Sequence, residues 1–258
     1  MDKYALITGA SKGIGKSIAL LLARAGYNLM LVARSEKDLQ ELAAAIELEY
    51  RVKVAFLAVD LTLPAATSEV ATWCSSHTTS LSVLINNAGF GIWGDFSTMP
   101  LAQQTNMLQL NINSVIELTH LLLPQLKQQQ QSYILNIAST AAYQALPTMA
   151  IYAASKSFIL NYSRALRYEL RKSAVSVSCL SPGPTATGFA SRAGMDALAH
   201  LAEKFNASPD VVAGAGIKGM FNKKIEIIPG LFNKISAFGG RYLPKRLVEH
   251  VAASIYLR

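Results

Sequence analysis

Near the start of the chain, Thr8-Gly9-Ala10-Ser11-Lys12-Gly13-Ile14-Gly15 combines three glycines with a lysine. Glycine lets a backbone turn tightly and approach a ligand, and a helix beginning there offers unpaired N–H groups and a positive dipole end. Such a turn suits a pyrophosphate. By itself it is as readily a plain structural turn, but it sits directly after an apolar run, Lys3–Thr8, and opens a segment of helical period. That setting favours a dinucleotide. The end of the second apolar run, Asn28–Ala33, then bears on which one. A carboxylate there would bond a ribose 2′-OH, and a basic residue would accommodate a 2′-phosphate. Arg34 follows this run with no acid at its end, and Lys12 falls on the same side of the ribose. NADP(H) is therefore expected ahead of NAD(H). A solvated Arg34 at a helix start is the plainer alternative, and Glu36 is the residue that would spoil the expectation. Asp60, beyond the third run, either accepts from the adenine amino group or caps the turn before Pro64.

A second group of reactive side chains lies in mid-chain. Tyr152 and Lys156 are four residues apart, which puts them on one helix face. Tyr168 and Lys172 repeat that spacing, so the pair alone proves little. Position separates them. Tyr152 stands near the start of its helix, 13 residues after Ser139 at the end of the fifth apolar run. Ligands of open α/β sheets bind outside the carboxyl ends of the strands. Tyr168 lies roughly 24 Å further down the helix axis, near the other end of the sheet. Tyr152 is the candidate, and Tyr168 is packing or surface.

The elements that must hold these groups alternate along the chain. Strand-length apolar runs are Lys3–Thr8, Asn28–Ala33, Lys53–Val59, Ser82–Asn86, Tyr133–Ala138, Val175–Leu180 and Ile225–Ile228. Helical segments between them are Gly13–Ala25, Glu36–Tyr50, Ala65–Ser76, Leu101–Gln131, Ile151–Lys172 and Pro209–Phe221. Continuous apolar strands separated by helices predict a parallel sheet of about seven strands, covered on both faces. Ser35 with Asp38 resembles a capping box, and Ser208-Pro209 supplies an N-cap and a first-turn proline. Ser181–Ala207 interrupts the alternation and is expected to form a lid, and residues 231–258 form a C-terminal extension. With no internal repeat or linker, one α/β domain spanning 1–258 is expected.

Composition agrees with this reading. The chain has 258 residues, 51% hydrophobic, with a formal charge of +8, which excludes a disordered protein. Its two cysteines, Cys74 and Cys179, cannot build a disulfide framework or a zinc site, and no metal site is expected. No apolar run reaches the ~20 residues of a bilayer span, and the N-terminus lacks a signal-peptide layout. A cytoplasmic protein is expected, with a peripheral membrane location left open.

Taken together, Thr8-Gly9-x-x-x-Gly13-x-Gly15, Asn86-Asn87-Ala88-Gly89, Ser139, Tyr152-x-x-x-Lys156 and Pro182-Gly183 resemble the short-chain dehydrogenase/reductase family in order and spacing. The resemblance covers residues 3–230 and implies a Rossmann-like, doubly wound sheet and hydride transfer between a carbonyl and an alcohol. It assigns Tyr152 as acid and base, Lys156 as the ammonium that favours the phenolate and bonds the nicotinamide ribose, and Ser139 as the holder of the substrate oxygen. Asn111 matches the family's holder of a proton-relay water, with Asn113 as rival. Asn87, Ala88 and Gly89 would line the cofactor, and Pro182, Gly183, Thr185 and Thr187 would reach its nicotinamide, Thr187 ahead of Thr185. The family's dimer face implies a homodimer or homotetramer through the helices Leu101–Gln131 and Ile151–Lys172.

Gly91-Ile92-Trp93, Tyr143–Leu146, Met149 and Phe189–Met195 should border the substrate. They are mostly apolar, which suits an apolar ketone or a 3-oxoacyl compound. A catalytically inactive NADP-binding regulator on the same fold is the alternative, and the intact Ser139, Tyr152 and Lys156 argue against it. A nucleic-acid partner is not expected despite a pI near 9.5, for want of a basic-aromatic module. Most of the excess charge sits between Lys218 and Arg258, where eight basic residues meet two acidic ones among several aromatic and aliphatic residues. That tail is either a solvated basic face or a surface for an anionic membrane or a phosphate-bearing acyl carrier.

Overall fold

Successive residues of a strand point to opposite faces of a sheet, and here both faces are apolar. In β1 (Tyr4–Thr8), Ala5 and Ile7 enter one core while Leu6 enters the other. Leu29 and Leu31 of β2 (Asn28–Ala33) likewise oppose Met30 and Val32, and Val83 and Ile85 of β4 (Leu81–Asn86) oppose Leu84. The computed structural model, which describes residues 2–194 and 206–256, accordingly places helices on both sides. The remaining strands are β3 (Val54–Ala58), β5 (Ser132–Ile137), β6 (Val175–Leu180) and the short β7 (Glu226–Ile227). All pair in parallel, in the order β3-β2-β1-β4-β5-β6-β7. The order reverses between β1 and β4, which opens a crevice at the carboxyl ends of the two strands.

One core packs under α1 (Gly13–Arg24) and α2 (Glu36–Tyr50), and the other under α3 (Ala66–His77). Ser35 accepts from the Asp38 N–H at 3.4 Å, so the expected cap forms. Past β4, α4 (Leu101–Leu108) and α5 (Ser114–Lys127) correct one expectation: the segment Leu101–Gln131 is not a single regular helix. Residues Gln109–Asn113 form a π-turn, in which the Ser114 N–H reaches back five residues to the Gln109 carbonyl. The Ser114 hydroxyl takes the Leu110 carbonyl at 2.6 Å. The extra residue in the turn leaves Asn111 only 1% exposed, and such turns often occur at functional positions.

After β5 come a 3₁₀ turn, Thr140–Tyr143, and α6 (Ala150–Glu169). The short α7 (Phe189–Arg192) precedes α8 (Pro209–Phe221), whose N-cap Ser208 accepts from Val211. Residues 195–205 of the expected lid, including Met195, lie outside the described residues. The extension folds as two helices, α9 (Leu231–Tyr242) and α10 (Lys245–Tyr256). Among the described residues, no helix is long and apolar enough to cross a membrane.

A buried polar ladder crosses the middle of the sheet. Asn86 donates to Thr119 at 3.1 Å and to Asn136 at 2.8 Å, and Asn136 donates to Ser163 of α6 at 2.9 Å. These bonds pin the end of β4 to β5 and to the helix that carries Tyr152. Asn136→Ala removes one buried partner each from the Asn86 amide and the Ser163 hydroxyl, and is expected to cost about 2–3 kcal/mol. Urea denaturation checks this; a loss below about 1 kcal/mol contradicts it.

Candidate active site

Positive φ angles at Gly9 (+64°) and Gly13 (+57°) bend the chain from β1 into the N-terminus of α1. Side chains other than glycine adopt that conformation with strain. At Gly15 a side chain would run into the Gly9 carbonyl, so the turn closes only without one. Asn87, just past β4, holds it shut: its amide donates to the Thr8 carbonyl at 2.9 Å and the Gly9 carbonyl at 3.1 Å. The Thr8 hydroxyl in turn accepts from the N–H groups of Asn87 and Ala88, each at 3.0 Å. Ser11, Lys12 and Ile14 complete an open cradle at a helix N-terminus, a fit for a pyrophosphate.

In the turn before α1 and just past the end of β2, Lys12 and Arg34 both face carboxylates. Lys12 Nζ is 3.0 Å from Asp38 Oδ2, and Arg34 is 3.9 Å from Asp60 Oδ2. The bond to Lys12, helped by Ser35, holds the Asp38 carboxyl below its usual range. Asp38 is thus the acid that engages Lys12, where Glu36 was the one expected to interfere. Asp60 caps its turn, accepting from the Thr62 N–H at 3.0 Å and hydroxyl at 2.9 Å. Both basic side chains stay largely exposed, and solvent screens such pairs.

Ser139, Tyr152 and Lys156 come together beyond β5. Ser139 caps the 3₁₀ turn, accepting from the Ala141 N–H at 3.1 Å, and bonds the Tyr152 hydroxyl. Lys156 donates to the Ile137 carbonyl at 3.0 Å and lies 5.8 Å from the centre of the Tyr152 ring. Burial pushes the Tyr152 phenol up to about 12, against the pull of the Ser139 bond, and brings Lys156 down to about 8. The arrangement therefore presents a protonated phenol beside an ammonium at neutral pH. Tyr168, by contrast, is 68% exposed under the Arg171 guanidinium, on the surface as its position predicts.

Asn111 belongs to this site through its surroundings. Its amide accepts from the Phe90 N–H at 3.1 Å and donates to the Phe90 carbonyl at 2.9 Å and Ser155 at 3.2 Å. The side chain is thereby committed to protein partners. A side chain on Gly89 would sit 2.9 Å from Asn111 Oδ1 and 3.4 Å from Lys156 Nζ, so Gly89 lets the two approach. Asn113, the rival, bonds Gln109 at the surface. On the far side, Thr185 bonds the Gly183 carbonyl at 2.9 Å. Thr187 lies against the glycine turn, with its Cβ 2.9 Å from where a side chain on Gly13 would begin. Pro182 accepts from the Thr140 N–H, joining the loop after β6 to the Ser139 turn.

An apolar cluster surrounds Tyr152: Met107, Leu146 and Met149, with Ile92, Trp93 and Phe189 packed against them. Phe189 meets the Tyr152 ring at 5.4 Å, and the Trp93 backbone N–H bonds the Ala193 carbonyl at 2.9 Å. Tyr143, expected at this border, turns away instead. Its hydroxyl donates to Glu226 at 2.7 Å, because that half-buried carboxylate offers a better acceptor than an apolar pocket. Ala252 and Tyr256 of α10 enter the cluster, and Thr148 donates to the Tyr256 carbonyl at 3.4 Å. These two residues were not anticipated. The only signal for them was an apolar spacing of four near the end of a basic tail.

The sequence profile of the short chain dehydrogenase family matches residues 3–198. A very-long-chain 3-oxoacyl-CoA reductase of Laccaria bicolor is 32% identical over 180 residues, 69% of this chain and 53% of that protein. The chain spans little more than half the length of such curated relatives. Among solved structures, a short-chain dehydrogenase from Sphingobium yanoikuyae in complex with NADPH is 32% identical, with a TM-score of 0.83 over 92% of both chains. The bulky-bulky ketone specific alcohol dehydrogenase from Comamonas testosteroni is 29% identical, with a TM-score of 0.79 over 94% of this chain and 99% of that one.

Proposed function

Because the chain belongs to the short chain dehydrogenase family, we propose that it is an NADP(H)-dependent oxidoreductase that interconverts a carbonyl and an alcohol, with Tyr152 as acid and base. The observation that carries this reading is the convergence of Ser139, Tyr152 and Lys156 at the carboxyl ends of the strands, beside the glycine turn. A bound nicotinamide supplies the hydride. Ser139 holds the substrate oxygen through its hydroxyl. Tyr152, protonated at neutral pH, gives that oxygen its proton as the alkoxide forms. Lys156 stabilises the phenolate left behind.

Support for NADP(H) comes from Arg34 at the end of β2 and Lys12 in the turn, and from the NADPH-bound relative. Asp60 is the group for the adenine amino group, and Thr185 and Thr187 line the nicotinamide and phosphate side. The apolar wall of Leu146, Met149, Trp93 and Phe189 suits an apolar ketone or a 3-oxoacyl substrate. Among the described residues the buried Trp93 indole N–H has no partner, and it is a donor suited to a second oxygen of such a substrate. On the outer face of α6, Phe158 is 41% exposed and stacks on Tyr162 at 6.0 Å. This face supports a homodimer.

NADPH consumption with a panel of ketones and 3-oxoacyl thioesters tests the reaction. Tyr152→Phe is expected to lose at least ~100-fold in turnover while still binding cofactor, and Tyr168→Phe to be nearly silent. The reverse pattern, with both proteins folded, would overturn the assignment. The pH profile has a defined sign. Tyr152 stays protonated up to about 12, and Lys156 loses its charge above about 8. Reductive kcat/KM is therefore expected to be level below pH 8 and to fall above it; a rise through that pH contradicts the roles. Arg34→Ala is expected to weaken NADPH by roughly 1.5 kcal/mol, the low end for a charge-assisted bond at an exposed site, and to leave NADH unchanged. Titration calorimetry with both cofactors measures it, and equal affinity in the unmutated protein removes the preference.

A further inference from the structure

Helix α9 is amphipathic with its apolar side turned outward. At ~100° per residue, Leu231, Ile235, Phe238 and Tyr242 fall on one stripe. They are 74%, 62%, 64% and 65% exposed. The opposite side, which packs on the protein, carries Asn233, Ala237 and Gly240. Ala237 is buried, and Gly240 lies so close to the Tyr143 carbonyl that a side chain would begin 2.7 Å from it. Close packing of small residues holds the helix, so its large side chains contribute little to holding it. Helix α10 repeats the pattern with Leu247, Val251 and Ile255, four residues apart and 43–52% exposed.

Beside the stripe lies a cavity of about 460 Å³ that Tyr242 borders. Arg164, Arg241 and Lys245 also line it. Among the described residues, the one carboxylate bonded to these cations is Glu226, with Arg164 at 2.8 Å and Arg241 at 3.1 Å. Three cations against one anion leave the cavity positive. Lys234 adds a further exposed cation on α9.

We propose that this face seats the protein on an anionic phospholipid bilayer, with the stripe among the acyl chains and Arg164, Arg241 and Lys245 on headgroup phosphates. A large apolar stripe beside cations matches the chemistry of such a surface. A second copy of the chain is a poorer occupant, since a two-fold contact sets a patch against itself and brings its positive rims together. A nucleic acid would leave the apolar stripe uncovered. The seat also meets the site: α10 ends in Ala252 and Tyr256, which pack in the cluster around Tyr152. If the proposed reaction holds, an apolar carbonyl compound reaches Tyr152 from the lipid; the seat itself does not depend on that reaction.

Co-sedimentation of the full chain with vesicles tests the proposal directly. Capture is expected on phosphatidylcholine vesicles containing phosphatidylglycerol at low salt, with little on phosphatidylcholine alone and less at high salt. The double variant Ile235→Asp with Phe238→Asp should bind at least about tenfold more weakly with an unchanged melting temperature. Lys245→Gln should bind about fivefold more weakly. Should the double variant fail to fold, Leu231→Gln at the exposed start of α9 repeats the test. Equal capture on both vesicle types, no capture, or full capture of the folded variants overturns the proposal. So does a dimer that the double variant dissociates while vesicles bind nothing, which assigns the face to a second copy.

Discussion

Thr8 and Asn87 tie the ends of β1 and β4 together, and the placement of the whole site depends on that tie. The chain leaves these neighbouring strands toward opposite sides of the sheet, so a crevice opens between them. Without a bond across it, the glycine turn would have no fixed position relative to the loop that carries Ala88 and Gly89. The Thr8 hydroxyl and the Asn87 amide supply four hydrogen bonds across this junction. Behind them, the ladder from Asn86 through Asn136 to Ser163 carries the same registration to α6. The cradle and Tyr152 are thus held to one frame, although they stand far apart in the chain.

Burial sets the chemistry that this frame supports. It disfavours both the phenolate and the ammonium, so Tyr152 keeps its proton and Lys156 holds its own less firmly than in water. Each charge is best tolerated when the other is present, which couples the two groups. The π-turn at Asn111 and the bare backbone of Gly89 serve this packing, since either a regular helix or a side chain would alter the space beside Lys156. At the start of α1 and the end of β2 the logic is the reverse. Lys12 and Arg34 are exposed and paired with acids, so solvent screens the charge they present.

Much of the site was legible because the signals are local. The glycine turn needs only its own φ angles and the helix after it. The caps at Ser35 and Ser208 involve residues three positions away, and the choice of Tyr152 over Tyr168 needs only the rise of a helix and the polarity of parallel strands. Strand ends identified from apolar runs also placed Arg34, Asp60, Ser139 and Pro182 correctly beyond the sheet.

Other features required contacts across the chain. Asn111 sits in a π-turn, and the Phe90 backbone, 21 residues earlier, takes both ends of its amide. Lys12 turns to Asp38 because α1 and α2 start side by side. Tyr143 leaves the pocket because Glu226, on the edge strand, presents a carboxylate to it. Tyr256 reaches Tyr152 only after α9 and α10 have folded back over the sheet. Periodicity alone shows that α9 has an apolar side, but not which way that side faces. The sequence by itself determined the alternating elements and the residues at the strand ends, since backbone geometry and side-chain period operate within a few residues. Tertiary structure decided the partners of the charged groups and the outward turn of the stripe, because those depend on which surfaces are close-packed and which remain in solvent.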